Sequence, residues 1–165
     1  MRALVTGGAG FIGGHIAEQL ARSGHRVTVL DNFVPYYDLG IKRHNVEVAR
    51  QAAAEGDGGY TLVEGSITDE SLVDELVADT DVVYHQAAQA GVRESVEEPK
   101  TVNRYNVDGT VEILEAARSH DVERVVVASS SSVYRLRAAD AAEHGNHELR
   151  LAMSPRRTTG HLRLG

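Results

Sequence analysis

The chain contains no cysteine, no tryptophan and only three prolines in 165 residues. Without cysteine there is no disulfide and no thiolate metal site, which fits a reducing, cytoplasmic compartment. No apolar run reaches the roughly 18 residues that a membrane-spanning helix needs, so the chain is expected to stay off the membrane. Aromatic residues are scarce at 5%, so a core must be built from aliphatic side chains. Positive charge is also short. Residues 1–134 carry 11 Lys and Arg against 21 Asp and Glu. That acidic body argues against nucleic acid as a partner. Residues 135–165 reverse the balance, with six Arg against three acids, but lack the interleaved aromatics of a single-strand binder.

What is present is an alternation. Short apolar runs, "RALVTGG", "RVTVLDN", "YTLVEGS", "DVVYHQAA" and "ERVVVASS", read as five strands. Between them lie segments with helical spacing. "FIGGHIAEQLARSGH" places Phe11, Ile12, Ile16 and Leu20 on one side and stops at Gly24. "IKRHNVEVARQAAAEG" ends at Gly56, "TDESLVDELVAD" starts from Thr68 as its cap, and a long helix enters through Pro99. Strands of this kind are buried on both faces, which predicts an α/β fold: a doubly wound parallel sheet in the order 3-2-1-4-5, ending after strand 5. Residues 1–134 form one domain on this reading. At 135 the alternation stops and no apolar run suits a strand. Residues 135–165 are expected to be an atypical tail, either disordered, out-of-frame chain or the private end of a short module.

Between the first strand and the first helix stands "TGGAGFIGG". It fits both G-x-G-x-x-G and G-x-x-G-x-x-G, through Gly7 or Gly8, Gly10 and Gly13. Glycines at these places permit a tight turn, close approach of a pyrophosphate to the backbone, and close packing of helix on sheet. The free N–H groups of the helix start then face the phosphates. Asp31, 18 residues past Gly13, ends the second strand, where a carboxylate accepts from ribose hydroxyls and repels a 2′-phosphate. Strand, glycine loop, helix and acid together define a Rossmann dinucleotide site and favour NAD over NADP. A glycine turn with a solvated strand-end acid is the alternative reading.

The stretches "VTGGAGFIGGHI", "LDNFVPYYD", "GSITD", "HQAAQAGVRESVEEP", "NVDGTVEILEAAR" and "VVVASSSSVY" resemble the extended short-chain dehydrogenase/reductases of the NAD-dependent epimerase/dehydratase family. "DNFVPYYD…IKRHN" and "AQAGVRESVEEP" are most similar to UDP-glucuronate 4-epimerases, with UDP-glucose 4-epimerases close by. The resemblance implies NAD as cofactor, a UDP-sugar as substrate and hydride chemistry at C4. It implies that Phe11 and Ile12 present N–H groups to the pyrophosphate, that Asp31 and Asn32 hold the adenosine ribose, and that Ser66 and Ile67 border the adenine. The family usually has Asp where Ser66 stands. Ala87, Ala88 and Gln89 are expected to line the nicotinamide side, with Asn106 supporting that wall. Arg93 is a substrate candidate, with pairing to Glu94 or Glu97 as its other reading. Tyr36 and Tyr37 border the substrate or sit in an exposed loop. His85 is expected to be a hydrogen-bonded core histidine, and "HGNH" at 144–147 lacks the partners of a metal site.

The resemblance also places a catalytic serine at Ser130, with Ser131 and Ser132 flanking the substrate. The family's Tyr-x-x-x-Lys pair has no match. Four residues beyond Tyr36, Tyr37, Tyr60, Tyr84, Tyr105 and Tyr134 stand Gly40, Ile41, Glu64, Ala88, Gly109 and Ala138. The expectation is therefore a nucleotide-sugar epimerase scaffold that is inactive as this chain, or a non-catalytic NAD-binding module. The family's homodimer would use the 99–119 helix, but its second contributor carries the missing pair.

Overall fold

In the computed structural model, residues 1–129 and 152–153 are described. The strands are β1 (Arg2–Thr6), β2 (Arg26–Asp31), β3 (Gly59–Glu64), β4 (Val82–His85), β5 (Arg124–Val127) and β6 (Ala152–Met153). They form one sheet in the order β3-β2-β1-β4-β5-β6. The first five are parallel, as the alternation predicts. β6 corrects the expected end of the sheet: its two residues pair antiparallel with Val125 and Val126 of β5. An unpaired strand edge offers a ladder of N–H and C=O groups to any extended chain, and two residues are too few to show a period.

The helices are α1 (Phe11–Arg22), α2 (Leu39–Glu55), α3 (Glu70–Ala78), α4 (Val92–Glu97), α5 (Pro99–Asn103) and α6 (Gly109–Ser119), with a π turn at Arg104–Asp108 joining the last two. One core lies on the α1–α2 side, with Val5, Val27 and Val29 against Ala17, Ala21, Ala49 and Ala53. The other holds Leu4, Leu30, Val83 and Val125 against Val73, Val77 and Ile113 of α3 and α6.

The expected face of α1 is wrong at its start. Phe11 and Ile12 are 69% and 60% exposed, while Gly13, Gly14, Ala17 and Ala21 are buried. The helix approaches the glycine loop and α2 so closely that only small side chains fit. Its end is as read: Gly24 takes φ +77° and donates to Ala21 O, and His25 N–H donates to Leu20 O, a Schellman stop. α3 is capped by Asp69 rather than Thr68; the Asp69 carboxylate accepts from Leu72 N–H at 3.2 Å. Two oxygen-bearing side chains in a row leave the cap ambiguous from sequence. The long 99–119 helix exists, interrupted by the π turn, and α4 lies ahead of it within what reads as loop.

Parallel registry brings the carboxyl ends of the central strands level. Thr6 lies beside Leu30 on one side and His85 on the other, and His85 beside Val127. The chain turns in opposite directions from β1 and β4, and a crevice opens at this switch point.

Candidate functional site

The crevice is a cavity of about 360 Å³. Gly7, Gly10, Phe11, Ile12, Gly13, Asp31, Asn32, Ile67, Ala87, Ala88 and Gln89 all line it, so eleven of the thirteen residues expected around the cofactor meet in one place. Leu30, Val34, Tyr36, Tyr37, Lys42, Gly65 and Tyr105 complete much of the wall.

The floor is the glycine loop. Gly7 has φ +66°, and a Cβ there would lie 2.8 Å from the Cα of Ala87. At Gly13 a Cβ would meet the Gly7 carbonyl oxygen and stand 2.8 Å from Gly8 Cα. Neither position admits another residue without moving the backbone. The loop then runs into α1, whose first turn has no side-chain cap and no acid. The N–H groups of Phe11, Ile12 and Gly13 precede the first intrahelical bond, Gly14 N–H to Gly10 O, at the positive end of the helix beside the cavity, a ready anion site. Asn45 of α2 reaches back to this loop; its Nδ2 donates to Ala9 O at 3.0 Å and Gly10 O at 3.2 Å.

One end of the cavity is organised by Asp31, only 5% exposed. Its Oδ2 accepts from Ala9 N–H at 3.1 Å. Its Oδ1 accepts from Phe33 N–H at 2.9 Å and from Lys42 Nζ at 2.9 Å. Phe33 holds a left-handed φ of +51°, which a bulky residue adopts only when the surroundings enforce it. Lys42 is itself buried, with its ammonium 5.7 Å from the Phe33 ring centre and 5.9 Å from that of Tyr37. Oδ2 retains room for a further donor. The Tyr37 hydroxyl is buried in the same wall without a hydrogen-bond partner among the described residues.

The other end is the chain after β4. Ala87, Ala88 and Gln89 form it, and Asn106 of the π turn supports it from behind: its Oδ1 accepts from Gln89 N–H at 2.7 Å and its Nδ2 donates to Gln89 O at 3.0 Å. His85 is a buried, doubly hydrogen-bonded histidine as expected, set between Thr6 and Thr110. Burial pushes its pKa down to about 4.

Ser66 does not line the cavity; its hydroxyl pairs with Thr68 Oγ1 at 2.8 Å in its own turn. Arg93 lies on α4 with its side chain 83% exposed and pairs with Glu97 at 2.8 Å. Ser130, Ser131 and Ser132, and the histidines of 144–147, lie outside the described residues. Lys42 and Asn45 are the residues that reading the sequence misses. Both sit on α2, whose helical spacing gives no sign that its polar face turns inward, Lys42 onto Asp31 and Asn45 onto the glycine loop.

Strand, glycine loop, uncapped helix start and strand-end acid make this a doubly wound fold of the dinucleotide-binding class. The chain belongs to the NAD dependent epimerase/dehydratase family, whose pattern it matches over residues 3–155. UDP-glucuronate 4-epimerase 3 of Arabidopsis thaliana is 46% identical over 136 residues, covering 81% of this chain and 30% of that protein. The probable UDP-glucuronate 4-epimerase of Rhizobium meliloti is 38% identical over the same length and 38% of its own chain. Among solved structures, Thermus thermophilus UDP-glucose 4-epimerase in complex with NAD superposes with a TM-score of 0.62 at 37% identity, over 79% of this chain and 38% of that one. The Stenotrophomonas maltophila UDP-glucose 4-epimerase with bound NAD and formylated UDP-arabinopyranose gives 0.70 at 29% identity, over 94% and 44%. The chain thus spans about a third of the length of the curated relatives it matches.

Proposed function

We propose that this chain is the NAD-binding unit of a UDP-sugar 4-epimerase, and that its 165 residues bind the cofactor without turning over sugar. The observation that carries the reading is the cavity itself, with an uncapped helix start at its floor and a buried carboxylate at one end. A pyrophosphate fits against the N–H groups of Phe11, Ile12 and Gly13. Asp31 at Oδ2 and Asn32 take the adenosine ribose, and the orphaned Tyr37 hydroxyl supplies a donor on the same wall. Ile67 bounds the adenine, and Ala87 to Gln89 bound the nicotinamide end.

NAD is favoured over NADP because the Asp31 carboxylate occupies the place a 2′-phosphate would need. Lys42, the cation beside it, is already committed to Asp31. Bound NAD would supply the hydride acceptor for oxidation at the sugar C4. The protein's part in such chemistry is a hydroxyl on the reacting oxygen, expected of Ser130, and a tyrosine base with a lysine one helical turn on. No tyrosine of the chain has that lysine.

The test is calorimetric titration of the purified protein with NAD and NADP, beside a UDP-glucuronate epimerisation assay. Saturable NAD binding, weaker NADP binding and no epimerisation are expected. Epimerisation by the purified chain alone, or a preference for NADP, would overturn the proposal.

A further inference from the structure

A line of buried and partly buried hydrogen bonds runs behind the wall after β4. Ala87 N–H meets Thr6 Oγ1 at 3.2 Å, and Thr6 Oγ1 meets His85 Nδ1 at 2.7 Å. On the other side His85 Nε2 meets Thr110 Oγ1 at 3.0 Å, and Thr110 Oγ1 meets Asn106 O at 2.9 Å. Asn106 then holds Gln89 by both its backbone groups.

The Asn106 end of the line fixes the proton on the ring, and the neutrality of the ring fixes the rest. A backbone N–H only donates and a carbonyl only accepts. Ala87 N–H therefore donates to Thr6, whose oxygen keeps a second lone pair and whose own hydrogen is free to go to His85 Nδ1. At the far end Thr110 donates to the Asn106 carbonyl, so its oxygen accepts from His85 Nε2–H. That end places a proton on Nε2, and a neutral ring then leaves Nδ1 bare to accept the Thr6 hydroxyl hydrogen. A second ring proton would set Nδ1–H against the Thr6 hydroxyl hydrogen and reverse one arm. Burial, which holds the pKa near 4, keeps that proton off at neutral pH.

We propose that His85 is a positioning residue: protonated on Nε2 alone, it ties β1 and α6 together and locks the backbone of residues 86–89 as the nicotinamide wall of the cavity. The lock has two arms. Thr6 holds Ala87, which packs on Gly7, and Gln86 N–H donates to Thr6 O at 3.1 Å. Thr110 holds the carbonyl of Asn106 within the π turn, and Asn106 holds Gln89. Insertions of this kind in a helix recur at functional sites, where they re-aim a side chain. No cavity-lining atom belongs to His85 itself. It acts through the wall, not on the ligand.

The inference rests on the reading of the cavity as a NAD site, so its test must separate the two. NAD reaches the wall; ADP shares only the adenosine and pyrophosphate end. Affinities for both are measured by calorimetry on the wild type, His85→Phe, Thr110→Val and His85→Gln. The first two are expected to lose about tenfold in NAD affinity, the size of one displaced buried hydrogen bond, with ADP affinity changed less than about twofold. His85→Gln, whose amide can both donate and accept, is expected to recover part of the loss. Nitrogen NMR of the imidazole should show Nε2 protonated and Nδ1 bare. An Nδ1–H ring, equal losses for NAD and ADP, or no loss in any variant would overturn the proposal. If the wild type binds neither ligand the cofactor reading falls, while the imidazole spectrum still decides the direction of the hydrogen bonds.

Discussion

Replacing Lys42 by Met isolates the electrostatics of the site from its packing. Met keeps an unbranched stem of similar reach and removes only the ammonium. The Asp31 and Lys42 side chains are 3% and 10% exposed and lie 2.9 Å apart. Removing one partner of a buried ion pair costs about 3–5 kcal/mol, because a desolvated charge is left behind. Here the carboxylate keeps two backbone donors, Ala9 N–H and Phe33 N–H, so the lower part of that range applies, about 3 kcal/mol. For a chain of this size that lowers the melting temperature by roughly 10 °C. The assay is urea unfolding of the wild type, Lys42→Met, Asp31→Asn and the double variant, without ligand. The two single changes each strand a partner and the double change strands neither, so the cycle should show a coupling of about 1–3 kcal/mol. Additivity within about 0.5 kcal/mol would refute the reasoning, since it would mean that the two groups do not sense each other.

Two further outcomes follow from the same geometry. Gly7→Ala should unfold more easily by at least about 1–3 kcal/mol and lose NAD affinity, because the new methyl meets Ala87 in a left-handed backbone; a melt and titration matching wild type would contradict the fit. For His85, the unfolded chain takes up a proton near pH 6.5 that the folded protein refuses until about pH 4, so stability falls as pH drops through that window, by about 3 kcal/mol in full. His85→Gln should remove that part of the pH slope, measured by melts at intervals across the window.

How much of this was legible in the sequence differs from part to part. The five parallel strands were, because a strand buried on both faces must be apolar throughout, and short apolar runs between helical periods admit few other folds. The glycine loop was, because its three glycines each answer a steric demand that no other residue meets. The inner face of α1 was not: Phe11 and Ile12 advertise a buried stripe, yet close approach to the loop and α2 hands burial to Gly13, Gly14, Ala17 and Ala21. Lys42 and Asn45 were not, since a polar residue on a helix reads as solvated until the fold shows what it faces. The direction of the His85 hydrogen bonds was not, because it depends on Thr6 of β1 and the Thr110–Asn106 pair, far apart in the chain, meeting on one ring.

These residues divide the cavity between two supports that share no side chain. At the Asp31 end, α2 supplies Lys42 to the carboxylate and Asn45 to the glycine loop. At the β4 end, α6 and the π turn supply Thr110 and Asn106, with His85 between. The loop from Gly7 to Gly13 touches both, through the packing of Gly7 on Ala87. A change at one end should therefore leave the other nearly intact, as additivity holds for sites without common partners. Every member of both supports lies within residues 1–110, before β5 begins. On the proposed reading, then, holding the cofactor needs nothing from the serine segment at 130–132. On the same reading, epimerisation needs a tyrosine with a lysine four residues on, a spacing that the sequence does not contain. Binding and turnover are separable by residue number on that reading, so NAD uptake without epimerisation is the outcome it expects.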